Sequence, residues 1–124
     1  YVFFIIDTKT RELIGFHSQF KRFRGGISIE KVISATALEK SKSKLIKYYS
    51  SGMKQRVKLA LAILSDTPVL LLDEPASNLD SEGVEWYHGL IKEYSSGRIV
   101  IVCSNHHAHE YSFCTEKLLI EKYK

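Results

Sequence analysis

Apolar positions along the chain fall first at helical intervals and later in short unbroken runs. Tyr1–Ile6 reads as a short buried strand or an irregular apolar lead-in. Asp7 and Thr8 can cap the helix after them. Within Glu12–Phe23, Leu13, Phe16, Phe20 and Phe23 recur at helical spacing, and Lys21, Arg22 and Arg24 cluster at the end, where cations suit the helix dipole. Gly25-Gly26 breaks this helix. Ser28 caps a second, with Ile29, Val32 and Ile33 on one side. Lys40–Lys47 is a Lys/Ser-rich connector. A third helix comes after Tyr49, with Met53, Val57, Ala60, Leu61 and Leu64 on one face. Its later residues are apolar nearly all round, as in a helix buried within a larger body.

The second half changes period. Val69–Leu72 is a continuous apolar run, the mark of a parallel strand covered on both faces. A helix is predicted from about Ser81, with Val84, Tyr87, Leu90, Ile91 and Tyr94 inward. Ile99–Cys103 is a second strand, a short helix lies near His107–Cys114, and Lys117–Ile120 is a last strand. A helical first half followed by βαβαβ predicts an α/β fold with parallel strands and right-handed crossovers. Three strands cannot give every buried strand two neighbours, so the sheet reads as incomplete.

Composition narrows the class. The chain has 124 residues, 44% of them hydrophobic and 26% charged, which suits one globular domain and excludes a disordered chain. The longest apolar stretches, Tyr1–Ile6 and Leu59–Leu64, are far short of the roughly 20 residues of a spanning helix. Cys103 and Cys114 make no metal or redox spacing, and a reduced, intracellular setting is expected. The start at Tyr1, directly on an apolar run, is the start expected of a piece of something longer. Charge is uneven: Asp7–Lys58 holds 13 Lys/Arg against 4 Asp/Glu, and the remainder 5 against 10. A basic half can face phosphates, an acidic partner or a membrane surface, or be a solvated helical face.

Two segments carry chemistry. Val69–Leu72 ends at Asp73-Glu74, and ligands of open parallel sheets bind at the carboxyl ends of strands. Asp73 can hold Mg²⁺, usually through water, and Glu74 can polarise an attacking water; alternatively, both acids merely cap the next helix. Tyr49–Arg56 sits where a loop enters a helix. Its small residues Ser50, Ser51 and Gly52 leave backbone N–H groups open to an anion at a helix N-terminus, or Ser50 is an ordinary N-cap.

Taken together and in this order, these segments resemble the ATP-binding cassette (ABC) ATPases. Tyr49–Gln55 resembles the signature motif, Val69–Glu74 the Walker B strand with its glutamate, and Ser77-Asn78-Leu79-Asp80 the D-loop. The resemblance implies a P-loop NTPase of the ABC type that binds ATP and Mg²⁺. Ser50, Ser51, Gly52 and Gln55 would form the signature, with Ser50 and Gly52 on the γ-phosphate of an ATP held mainly by the opposite subunit. Asp73 would bind Mg²⁺, Glu74 would act as base, and Asp80 would cross the dimer interface. Residues 1–50 would be a basic helical subdomain, and 51–124 the signature helix and the rest of the core.

The pattern also departs from the family. The chain holds no Gly-x-x-x-x-Gly-Lys-Ser/Thr loop, and no Q-loop can be assigned, so it resembles the downstream part of a cassette. Strand register puts Asn105 in the place of the switch histidine, with His106 one residue later; either would serve. His106, His107 and His109 near two cysteines invite a metal reading, but a polar helix start explains them better. His17 and His88 are expected at the solvent edge, and Trp86 needs no functional role. The function implied is the nucleotide-binding subunit of an exporter, partnered by a second cassette and a transmembrane permease on the inner face of the cell membrane. The alternative is a non-transport ATPase acting on nucleic acid or ribosomes, which the absence of interleaved aromatics disfavours. Alone, the 124-residue chain is expected to be inactive, and its exposed sheet edge should make it marginal or self-associating.

Overall fold

A computed structural model describes residues 7–105 and 107–123. The strand or lead-in expected over Tyr1–Ile6 lies outside the described residues. Helix α1 spans Thr10–Phe20 and α2 spans Ile29–Ala35. Helix α3 (Ser51–Leu64) leads to β1 (Val69–Asp73), and α4 (Ser81–Tyr94) leads to β2 (Ile99–Cys103). A short α5 comes last at Ala108–Tyr111.

Three of these helices begin as the residue pattern dictates. Ser28, Ser50 and Asp80 are the N-caps of α2, α3 and α4, each accepting the backbone N–H three residues on. At α1 the cap differs from expectation. Glu12 reaches back, and its carboxylate accepts from the Lys9 N–H at 2.9 Å and the Thr8 hydroxyl at 2.9 Å. Gly25 and Gly26 end the α1 region with φ of 60° and 66°, a left-handed turn that side chains disfavour.

β1 and β2 pair in parallel, with Val69 opposite Ile99 and Asp73 opposite Cys103. The crossover helix is α4. Leu70 and Leu72 point into the helical layer, where they join Ile63 and Leu64 of α3 and Tyr87, Leu90 and Ile91 of α4. Ile14 of α1 and Val32 and Ile33 of α2 complete the same core. Arg98, at the entry to β2, donates to the Ile63 carbonyl at 2.7 Å and so closes the end of α3.

Three expectations need correction. The α/β fold with a parallel sheet stands, but among the described residues the sheet has two strands. Lys117–Leu119 is irregular, Ile120–Tyr123 is a 3-10 turn, and Leu118 and Ile120 are exposed. An apolar run becomes a strand only where a neighbouring edge takes its hydrogen bonds. Second, β1 is covered on one face only: Leu71, Ile99 and Ile101 are exposed on the other. Third, α1 stops at Phe20, which is exposed, and its core contact is Ile14. Phe23 is buried outside the helix, in a bridge to Ser65.

His17 is half-buried, stacked on Phe23 with ring centroids 5.6 Å apart, and its Nε2 lies 2.8 Å from the Ser65 hydroxyl. Burial, with the nearby Lys21 charge, holds its pKa below the ordinary 6.5. The unfolded chain then binds the proton more readily than the folded one, so this histidine costs stability as pH falls below about 6.5. Substituting His17→Gln should flatten the acid side of a plot of denaturation midpoint against pH. An unchanged slope would mean that the imidazole is not held neutral by the fold.

Candidate functional site

The loop before α3 is anchored by Tyr49. This side chain is buried, and its hydroxyl lies 2.7 Å from Thr10 Oγ1 and donates to the Ser41 carbonyl at 2.7 Å. Ser50 is thereby presented at the surface. Its hydroxyl oxygen accepts the Met53 N–H at 3.2 Å. The N–H groups of Ser51 and Gly52 fall in the first turn, where no intrahelical acceptor exists. Replacing Ser50 with Ala should lower stability by about 1 kcal/mol, read as a denaturant midpoint, because the capping acceptor is lost.

The first turn of α3 leans on the loop between β1 and α4. A Cβ added at Gly52 would stand 2.8 Å from the Asn78 carbonyl oxygen, closer than real Cβ contacts. Asn78 itself has a φ of 64°, a conformation its short amide side chain tolerates. Gln55, one turn further, donates to the Pro75 carbonyl at 3.0 Å. Asp80 then caps α4, accepting from the Gly83 N–H at 2.8 Å. Ser50, Ser51, Gly52, Asn78 and Asp80 line one open cleft of about 440 Å³, with Ala37 and Arg56 at its wall.

Asp73, Glu74 and Asn105 lie outside that cleft, where the two strands end. Glu74 has a φ of 42°, an unusual backbone for a side chain of its size, costing about 1–2 kcal/mol. Two hydrogen bonds hold it there: its N–H donates to the Cys103 carbonyl at 2.9 Å, and its own carbonyl accepts from Ser77 N–H at 3.0 Å. Strain of this kind gathers at functional sites. The side chains of Asp73 and Glu74 are exposed. Among the described residues, neither carboxylate is taken by an ion pair or a side-chain hydrogen bond. Two open carboxylates at a strand end suit a hydrated divalent cation, and the open N–H groups of α3 suit a phosphate. Asn105 is exposed in the bend after β2; His106 lies outside the described residues.

Some residues escaped sequence reasoning. Trp86 is more than filler: its indole N–H donates to the Ala35 carbonyl at 2.8 Å, and the Arg56 guanidinium lies over its ring at 5.1 Å. Arg56 thus joins α3 to α4 beside the cleft. Glu110, a lone acid in a His/Cys-rich stretch, is buried. His88, expected at the solvent edge, is half-buried and sits 2.5 Å from the His109 carbonyl. No group of three or more His, Cys, Asp or Glu able to hold a metal occurs among the described residues.

The family profile described as ABC transporter matches residues 7–77, more than half of the chain. The chain belongs to the ABC transporter family. Curated relatives agree. The uncharacterized ABC transporter ATP-binding protein YybJ of Bacillus subtilis is 36% identical over 98 residues, covering 78% of this chain and 45% of the relative. The bacitracin transport ATP-binding protein BcrA of Enterococcus faecalis is 35% identical over 89 residues, covering 68% of this chain and 29% of the relative. This ABC chain therefore spans less than half the length of these relatives. Among solved structures, a complex of an archaeal ribosomal stalk protein with the archaeal ribosome recycling factor is similar, with a TM-score of 0.67 and 28% identity over 82% of this chain and 19% of that one. No helix among the described residues is long and apolar enough to cross a membrane.

Proposed function

We propose that this chain is the downstream part of the nucleotide-binding subunit of an ABC transporter, which couples ATP binding and hydrolysis to export. The observation that carries the reading is the shared cleft of Ser50, Gly52 and Asp80 at the mouth of α3, separate from the open carboxylates of Asp73 and Glu74. A site split in this way suits a dimer in which each cassette completes the other's nucleotide site. ATP with Mg²⁺ would supply the phosphoryl group that passes to water. Ser50, Ser51 and Gly52 would donate to the γ-phosphate of a nucleotide held by the second cassette, and Gln55 would hold that turn in place. Asp73 would hold Mg²⁺ through water, Glu74 would accept a proton from the attacking water, and Asp80 would reach across the dimer. Asn105 or His106 would contact the γ-phosphate. Residues 1–50 would form the helical subdomain that meets a transmembrane permease, placing the protein on the inner face of the membrane. The bacitracin transport function named for one relative favours this class.

A second reading, an ATPase working on nucleic acid or ribosomes, is favoured by the 13 basic against 4 acidic residues of Asp7–Lys58 and by the likeness to the recycling factor. The two differ in what the complete protein binds. Sedimentation with membranes that carry the permease, and no salt-dependent retention on RNA, is the expected result. Retention on RNA that weakens steeply with salt, without membrane association, would replace the first reading by the second. The 124-residue chain alone should hydrolyse no ATP, since the loop that cradles the triphosphate is not in its sequence. Turnover by this chain that Glu74→Gln abolishes would contradict that expectation.

A further inference from the structure

We propose that Glu110 is a positioning residue that locks the loop carrying Glu74 to the loop carrying Asn105. The inference rests on the proposed ATPase reading of the strand ends. Glu110 retains 2% exposure, so it cannot itself touch a nucleotide. Its two carboxylate oxygens are divided between the two loops. Oε1 accepts the Ala76 N–H at 3.0 Å, and Oε2 accepts the Ser104 hydroxyl. Its main-chain carbonyl accepts the hydroxyl of Tyr87, a fully buried side chain of α4, at 3.0 Å.

The arrangement matters because of what Ala76 and Ser104 adjoin. Ala76 lies two residues beyond Glu74, whose left-handed backbone is fixed on its other side by the bond to Cys103. Ser104 directly succeeds Cys103 and directly precedes Asn105. The loops are therefore tied twice: main chain to main chain at Glu74 and Cys103, and through the Glu110 carboxylate at Ala76 and Ser104. Burying a carboxylate is costly unless it is fully hydrogen-bonded, and plain packing of a one-turn helix would be served by an apolar residue. A single carboxylate with one oxygen per loop fixes the separation of the two loops.

The test uses the full-length cassette, with ATP turnover measured at saturating and limiting Mg-ATP. Glu110→Ala should lower kcat by about tenfold to a hundredfold, the cost of slightly misplaced reacting groups, while KM for ATP stays within about twofold. Glu110→Gln, which keeps the volume and one accepting oxygen, should fall between wild type and Ala. It keeps the inference testable if the alanine variant does not fold. Tyr87→Phe removes the bond to the Glu110 carbonyl but spares the carboxylate, so it should lower stability and leave kcat unchanged. Ser104→Ala should cost less alone than Glu110→Ala and add little to it, because both break the same tie. Wild-type kcat in Glu110→Gln, or a loss of kcat in Tyr87→Phe matching that in Glu110→Ala, would overturn the positioning role. Glu74→Gln separates the layers. If it abolishes turnover while the Glu110 variants do not, the positioning role alone fails; if it leaves turnover intact, the ATPase reading of the strand ends fails and this inference with it.

Discussion

In the full-length cassette, Glu74→Gln should lower kcat for ATP hydrolysis by about 10²–10⁴-fold, the usual contribution of a positioned base. Glutamine keeps the length of the side chain and cannot accept the proton of an attacking water. KM for ATP should change little, because the proposed nucleotide contacts belong to other residues. The backbone should tolerate the change: the bonds that hold residue 74 at φ 42° use its N–H to Cys103 and its carbonyl to Ser77, not its side chain. Loss of turnover with intact binding should leave an ATP-bound dimer that accumulates on gel filtration. A variant that hydrolyses ATP at the wild-type rate and forms no such dimer would remove Glu74 from the role of base. The same experiment on Asp73→Asn has a different expected signature, a rise in the Mg²⁺ concentration needed for half-maximal rate, since that carboxylate would act through the cation.

Features legible in the sequence are those that depend on neighbours along the chain. The caps Ser28 and Ser50 act on N–H groups three residues away, and each does so in the structure; the cap of α4 is Asp80 and not Asp73 or Glu74. The inward faces of α3 and α4 come from local period, whereas the one-sided burial of β1 is invisible in an unbroken Val-Leu-Leu-Leu run. The failures share one cause, a partner distant in sequence. Phe23 extends a helical pattern on paper, yet it bridges to Ser65, where His17 stacks on it. Lys117–Ile120 has the composition of a strand and finds no edge to pair with among the described residues. Glu110 draws no notice in sequence because its meaning lies in Ala76, 34 residues earlier. The site divides the same way. Ser50, Asp73, Glu74, Asn78 and Asp80 were legible as motif positions, but the wedge of Asn78 against Gly52 was not, and Arg56 and Trp86 gain their roles only from contacts of α4 with α3 and α2.

Gly52→Ala should be the most damaging single-methyl change in the cleft. The added Cβ would meet the Asn78 carbonyl oxygen at 2.8 Å, and that atom is main chain. Elsewhere in a helix, Gly to Ala stabilises by about 0.5–1 kcal/mol through propensity. Here relief requires that α3 and the β1–α4 loop move apart, and forced shifts of this kind cost about 1–3 kcal/mol. The net expectation is a loss of about 1–2 kcal/mol in a denaturant titration. The movement would also pull Gln55 from the Pro75 carbonyl and shift Ser50 relative to Asp80, so ATP turnover should fall more than stability does. Two further variants show whether the clash is the cause. Gly89 lies in α4 with open space around its Cβ position, so Gly89→Ala should stabilise by the ordinary propensity gain. Asn78→Gly, combined with Gly52→Ala, should not restore stability, because no side-chain change at residue 78 removes its carbonyl. If Gly52→Ala proves as benign as Gly89→Ala, the first turn of α3 is not wedged against the β1–α4 loop, and the cleft that unites Ser50 with Asp80 would have to be rebuilt.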